Sequence, residues 1–328
     1  MPLLSNPFGS TRDPRQVHLR ACPGATCLSE ICRLCETRAD LVESHIVPKF
    51  IFRWLKKSSQ TGIRQSAQPN RRIQDGWKRP FLCAKCEDRL NQHETPFAGQ
   101  VFAPFHRQDL TTRAATFSYG DWCLPFCVSV SWRVLKAMNE DGLMPALSDA
   151  QQAAMESALG RWRDVLLGRQ PHPERHAQYL YPVGLIKSAS QASVSPSQNR
   201  YFLRTIQIDV LVGVERMVVF SKLGRLVLIG FVTPPDRAWR GWRVRVRKGH
   251  FGVQAFGMPG EMLAFMRASA DAYGSIYDRM SPRQQHIAGA RAAQSMEERD
   301  EAFVAFEADV AISGSAAFRR GGTGDGAS

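Results

Sequence analysis

The sequence predicts an α+β protein in two parts: a small unit stapled by bound metal, then a larger α+β unit built on an antiparallel sheet. Three observations carry this. Six of the eight cysteines lie between residues 21 and about 110, in a segment with few periodic apolar runs. Runs rich in β-branched residues and punctuated by Gly and Pro cluster between 179 and 248. Helical patterns stand on both sides of those runs.

At 328 residues and 44% hydrophobic, the chain can bury a full core, and its length fits two domains. Residues 1–20 lack the continuous apolar core of a secretory signal. The longest apolar run, LVLIGFV at 226–232, is far too short to span a bilayer. We therefore expect a cytoplasmic protein with no membrane partner. Thiols stay reduced in that compartment, so the cysteines point to metal rather than to disulfides. A net charge of +13 and a pI near 9.7 favour a polyanionic partner. Residues 49–113 hold thirteen Lys/Arg against five Asp/Glu, most of the total excess in about a fifth of the chain. A solvated basic face would explain this blandly; phosphate binding explains it more specifically.

In order along the chain, residues 1–20 read as a flexible leader. Residues 21–113 read as a metal-binding domain, because so little aliphatic core needs another means of support. From 114 to 310 we expect an α+β domain. It opens with helices over 126–138 and 147–167, the second with Ser148 or Asp149 as N-cap. Strands follow in YLYPVGLIK, YFLRTIQIDVLVGV, RMVVFSK, RLVLIGFV and WRVRVRK. Next come a helix over 261–273 and a further helical pattern between 281 and 310. The tail, 311–328, reads as disordered. No internal repeat is present.

Cys32 and Cys35 form one C-x2-C pair, and Cys83 and Cys86 form another. Two such turns present four thiolates and can close a tetrahedral zinc site. Cys22 and Cys27 allow a second arrangement, a local four-cysteine site within CPGATCLSEICRLC. The 32/35/83/86 set is preferred because it closes the long basic loop. Cys123 and Cys127, spaced i, i+4 at an apolar helix start, read as core residues.

The pattern C-x2-C, then Ser-His-Ile-x-Pro eight residues on, then C-x2-C-Glu resembles the zinc-knuckle branch of the HNH nucleases, whose fold is the ββα-metal motif. The resemblance covers residues 32–95, under a quarter of the chain. In that family an Asp-His dipeptide lies on the first strand of a hairpin and the loop carries an Asn. A helix starting at the second knuckle supplies a His or Asn. The resemblance implies His45 as the general base that takes a proton from the attacking water, with a divalent ion, magnesium or manganese, on the scissile phosphate. It also implies that the knuckle pins the hairpin and that Pro48 ends the strand. This chain departs from the pattern at three points. Ser44 stands where the family has Asp, and Glu87 where it has His or Asn. No Asn occupies the loop position just before Cys83, where Asn70, Gln74 and Asp75 are the nearby substitutes.

On a helix starting near Cys86, Glu87, Asn91 and Glu94 fall within about 60° of one another and can share the catalytic ion with His45. His93 lies far round the cylinder and reads as a surface or supporting residue. A solvated helix face is the bland alternative for Glu87 and Glu94, and a hydrogen-bonded structural imidazole for His45. Lys49, Arg53, Lys56, Lys57, Arg71 and Arg72 would position a nucleic-acid backbone, with Lys85 or Arg89 assisting. In DRAWRGWRVRVRK, strand alternation would put Arg243, Arg245 and Arg247 on one face and Val244 and Val246 on the other. Trp239 and Trp242 would flank that ladder for phosphate contact and base stacking.

The leading functional expectation is a metal-dependent endonuclease acting on DNA, a chemistry that would suit phage defence or a mobile element. The alternative is a non-catalytic zinc-containing protein that binds nucleic acid or a protein partner. A structural subunit of a larger complex is the third reading.

Overall fold

The computed structural model describes residues 30–108, 116–187, 194–236, 239, 243–251 and 259–318. The leader 1–20, Cys22, Cys27 and Trp242 lie outside them. Two short strands, β1 (Glu30–Ile31) and β2 (Arg38–Ala39), pair antiparallel around the first cysteine turn. Strand β3 (Leu41–His45) follows, then helix α1 (Lys49–Lys57), whose apolar side buries Ile51, Phe52 and Leu55. Pro48 is not the stop of the strand. The strand ends three residues earlier, and Pro48 stands at the N-cap of α1, where its missing N–H costs nothing and its fixed φ starts the helix.

A hairpin, β4 (Ile63–Gln65) and β5 (Gln68–Ile73), comes next, then β6 (Lys78–Cys83) and helix α2 (Ala84–Phe97). Strands β3 and β6 pair antiparallel, with Leu41 opposite Cys83 and His45 opposite Lys78 and a bulge between Val42 and Glu43. Strand, strand and helix thus form a ββα unit, with α1 and a second hairpin inserted between its strands. The chain then runs through α3 (Ala103–His106). The proposed boundary at 113/114 lies among the undescribed residues. The core is continuous across it, because one cluster holds Phe81, Phe97 and Phe105 together with Phe126, Leu180 and Val219.

Strand β7 (Phe117–Tyr119) precedes α4 (Cys123–Glu140), the central helix. Its sequence FCVSVSWRVLKAM is apolar nearly all round, and a helix of that kind must be covered on every side. Cys123 and Cys127 are fully buried in it. It packs on α2, on α5 (Asp149–Leu166) and on a four-stranded antiparallel sheet. Ser148 caps α5 in a capping box with Gln151, as its sequence requires.

The sheet has the order β8-β11-β10-β9, formed by β8 (Gln178–Pro182), β9 (Ile206–Val212), β10 (Met217–Leu223) and β11 (Leu226–Phe231). One face, with Leu180, Val219 and Leu228, joins the core around α4. At Gly230 the helix comes so near that a methyl group would lie 2.4 Å from Ser131 Oγ. The opposite face, with Tyr181, Phe220 and Ile229, is covered by α6 (Gln198–Arg204) through Tyr201 and by α7 (Gly260–Gly274) through Met262 and Met266. Two covered faces explain why β10 and β11 read as unbroken apolar runs. This is the α+β architecture expected, antiparallel sheet included.

Three expectations are corrected here. YFLR, taken as the start of a strand, is helical. The Asp309 carboxylate accepts the backbone N–H of Asn199 at 2.7 Å and of Arg200 at 3.2 Å, so a distant residue caps this helix start. WRVRVRK is not a ladder strand. Arg243 makes one isolated bridge to Tyr179, and only β12 (Gly249–Phe251) beyond it is extended, paired with β7. The 281–310 pattern is helical as expected and divides into two helices, α8 (Pro282–Glu298) and α9 (Glu301–Ser313). Arg299 turns left-handed between them and Asp300 caps the second. The tail thus starts later than expected. Residues 311–313 are helical, 314–318 form a tight turn with Ala317 buried, and 319–328 lie outside the described residues. No helix among the described residues is long and apolar enough to cross a membrane.

Candidate metal centre and the histidine beside it

The first cysteine turn closes by backbone bonds, Glu36 N–H to Cys32 O at 2.9 Å and Cys32 N–H to Thr37 O at 3.0 Å, with Glu36 at φ 59°. The second turn is the junction of β6 and α2, where Cys83 is the N-cap and Cys86 lies in the first helical turn. The donor atoms of Cys32, Cys35, Cys83 and Cys86 all lie within 4.8 Å of one another and can hold a metal ion such as zinc. Two further bonds join the turns: Arg33 N–H to Phe81 O at 3.1 Å and Cys83 N–H to Cys32 Sγ at 3.3 Å.

The thiols divide electrostatically. Burial pushes Cys32 and Cys86 upward, and neighbouring thiols add to the rise at Cys86. Burial also acts upward on Cys35, but hydrogen bonds from Thr37, Cys32 and Cys86 outweigh it and bring that thiol down to about 6. The protein alone accommodates the Cys35 thiolate, whereas deprotonating the buried Cys32 and Cys86 needs a cation, which is the condition a metal site meets.

Ser44 and His45 are consecutive on β3, so they point to opposite sides of the hairpin. Ser44 is buried and donates to Glu87 Oε2 at 2.9 Å. His45 Nε2 is 2.9 Å from Asp75 Oδ2, in the loop before β6. That loop is fixed tightly. Ile46 N–H donates to Trp77 O at 3.0 Å, Gly76 N–H to Asp75 Oδ1 at 2.9 Å, and Lys56 Nζ to Gln74 O at 2.7 Å. A methyl group on Gly76 would sit 2.2 Å from the Phe52 ring, so only glycine lets the loop lie on α1. Burial acts upward on the Asp75 carboxyl, but its bonds to His45 and Gly76 N–H and the nearby Lys49 charge hold it below the usual range.

Glu87, Asn91 and Glu94 do not gather around His45. Among the described residues, the four cysteines are the one group of three or more Cys, His, Asp or Glu that lies close enough to share an ion. Glu87 faces Ser44, and Asn91 is exposed. Glu94 accepts from Arg133 Nη2 at 2.6 Å, an ion pair with Arg133 only 1% exposed. Glu87, Asn91 and Glu94 share one arc of α2 by helical geometry, but Arg133 takes Glu94. Arg133 also donates to the His45 carbonyl at 2.9 Å and, through Nε, to the Ser129 carbonyl at 3.2 Å. It therefore ties the end of β3 to α2 and α4. The signal for it was present in FCVSVSWRVLKAM: a guanidinium amid core positions must find partners inside. His93 is partly buried, and burial lowers its pKa.

The basic residues are spread over several surfaces. Lys49, Arg53, Lys56 and Lys57 are exposed on α1, and Arg71 is exposed on β5 beside the half-buried Arg72. Lys85 and Arg89 line a shallow groove on α2 with Asp88 and Gln92. Arg243, Arg245 and Arg247 are exposed, and the first two line an open pocket of about 580 Å³ with His172 and Glu174. Val244 is buried but Val246 is 37% exposed, so the alternation expected of a strand is lost. Trp239 is core, edge-on to Phe231 at 4.8 Å, and presents no face for stacking.

Comparison with protein-family models, with curated proteins and with solved structures returned no match.

Proposed function

We propose that the chain is a metal-dependent endonuclease of the HNH type, which hydrolyses phosphodiester bonds in DNA with His45 as general base. The observation that carries the reading is the His45 Nε2 to Asp75 Oδ2 bond of 2.9 Å, in a ββα unit whose strand and helix meet at a four-thiol cluster. With Nε2–H donating to Asp75, the imidazole keeps the Nδ1 lone pair to accept a proton from water. The carboxylate holds that tautomer and stabilises the imidazolium once formed. Asp75 thus does the orienting work the family gives to its loop Asn.

Zinc is the ion the four thiols fit, and its part is to hold the hairpin to the helix start. A catalytic magnesium or manganese beside His45 would have Asp75 as its carboxylate, because Glu87 accepts from Ser44 on the other side of the hairpin. One carboxylate is within the usual protein share for magnesium, whose other ligands are water and substrate phosphate. Such an ion would neutralise charge on the scissile phosphate. The exposed lysines and arginines of α1 would contact the backbone of the strand.

Two observations favour a second reading. Glu94 is committed to Arg133 and Ser44 replaces an acid, which leaves a sparse ion site and fits a non-catalytic zinc protein that binds nucleic acid or a partner. The two are separated by purified protein with magnesium or manganese on supercoiled plasmid and on single strands, beside His45→Ala and Asp75→Asn. The catalytic reading expects nicking that falls by roughly a hundredfold or more in His45→Ala, and by less in Asp75→Asn. Equal nicking by wild type and His45→Ala, or none by either, discards it and leaves the binding reading.

A further inference from the structure

The inserted hairpin carries two arginines face to face. Arg64 on β4 and Arg72 on β5 are direct cross-strand partners, an arrangement in which like charges repel. Arg72 lies against Gly62, at φ 73°, where a methyl group would come within 2.7 Å of Arg72 Nη2. Arg64 Nη1 donates to Pro69 O at 2.9 Å and to Gln284 Oε1 at 3.0 Å. Yet Arg64 Nη2 and Arg72 Nε are buried without an acceptor among the described residues.

A third arginine reaches the same place from α8. Gln284 and Arg291 are seven residues apart, two turns, so they share the helix side that lies on the hairpin. Arg291 Nη1 donates to Gln60 O at 2.9 Å, two residues before Gly62. Burial, then the charges of Arg72 and of Arg291, lower the Arg64 pKa, so both neighbouring guanidinium groups lie close enough to act on Arg64. Among the described residues none of the three pairs with a carboxylate. Nearby acidic groups are engaged elsewhere: Glu298, at the end of α8, accepts from Gln60 Nε2 at 2.9 Å, and Asp300, the cap of α9, accepts from Gln60 N–H at 2.9 Å.

Converging positive charge and orphaned buried donors are two costs that one bound anion would relieve together. We infer that Arg64, Arg72 and Arg291 form a binding site for a single phosphate-type oxyanion, whose several oxygens suit planar guanidinium forks. Free inorganic phosphate and a phosphodiester of a nucleic-acid strand share this chemistry. The site involves neither His45 nor Asp75 and does not rest on the catalytic reading.

The test has two arms, both on the full chain, with Arg64→Gln, Arg72→Gln and Arg291→Gln beside Arg169→Gln, which removes an exposed charge elsewhere. In the first, thermal unfolding is compared in sodium phosphate and in sodium chloride of equal ionic strength. In the second, anisotropy of a short labelled DNA strand is followed through a salt series. Free phosphate as the ligand is expected to raise the wild-type midpoint above that in chloride, and the three variants to lose the difference. A phosphodiester as the ligand is expected to lower the salt slope by about one for each arginine removed, a change that a purely structural role would not produce. Arg291→Gln, outside the hairpin, carries the test if a hairpin variant does not fold. Variants that match Arg169→Gln in both arms overturn the proposal.

Discussion

Arg133→Met tests the central claim about how the hairpin end is held. The side chain is 1% exposed and makes its ion pair with Glu94 at 2.6 Å, its bond to the His45 carbonyl at 2.9 Å and its bond to the Ser129 carbonyl at 3.2 Å. Methionine keeps most of the volume, so cavity formation adds little. The loss is dominated by a carboxylate and the His45 carbonyl left without a donor, since the Ser129 carbonyl keeps its helical bond from the Arg133 backbone N–H. Breaking a buried ion pair from one side costs about 3–5 kcal/mol. Glu94 retains 15% side-chain exposure, so water reaches it and the lower end, about 3 kcal/mol, is expected. Urea unfolding at neutral pH, followed by tryptophan fluorescence, measures it. Adding Glu94→Gln should recover at least about 1 kcal/mol, because the stranded charge is gone. A single variant within about 1 kcal/mol of wild type, or a double variant no better than the single, would refute the claim that Arg133 acts by compensating Glu94.

Three further outcomes are expected. In metal-free protein, Cys35 contributes stability that is present above the ordinary thiol value of 9.0 and is lost as pH falls through about 6. The raised thiols, Cys32 and Cys86, contribute stability that is present below 9.0 and weakens above it. Chemical denaturation of chelator-treated protein should thus show stability rising from about pH 6 and turning over in the alkaline range. A curve flat between 6 and 9 contradicts this division of the thiols. Gly76→Ala should cost about 1–3 kcal/mol in thermal unfolding, since its methyl group would overlap the Phe52 ring, and should lower any His45-dependent nicking by moving Asp75. Ser148→Ala removes the capping-box oxygen of α5 and should cost about 1 kcal/mol in the same assay, with no effect on metal content.

The parts of the fold that could be read from the sequence are those with local causes. The capping box of α5, the apolar length of α4 and the cysteine spacing each act within a few residues, and each led to the right element. The failures share a physical reason. Helix α6 is capped by Asp309, 110 positions away, and nothing in YFLR announces it. The Arg243–Arg247 alternation looked like a strand, but its pairing stops at the Arg243 bridge and the Val244 N–H bond to Gln178 O, and resumes at β12. In the site, spacing identified the four thiols, whereas the fate of Glu94 depended on Arg133 from another helix. Asp75 was visible as a substitute, but its role depended on Gly76 and Phe52 bringing the loop against α1.

The dependence of α6 on Asp309 has a consequence during synthesis. The strands of the sheet are complete once Phe231 has left the ribosome, yet the aromatic side of that sheet still lacks α7, and α6 still lacks its buried acceptor. Nascent chains of intermediate length therefore display Tyr181, Phe220 and Ile229 to solvent until the final helices emerge. Premature termination anywhere between β11 and α9 should yield sticky, chaperone-bound products rather than a smaller folded protein.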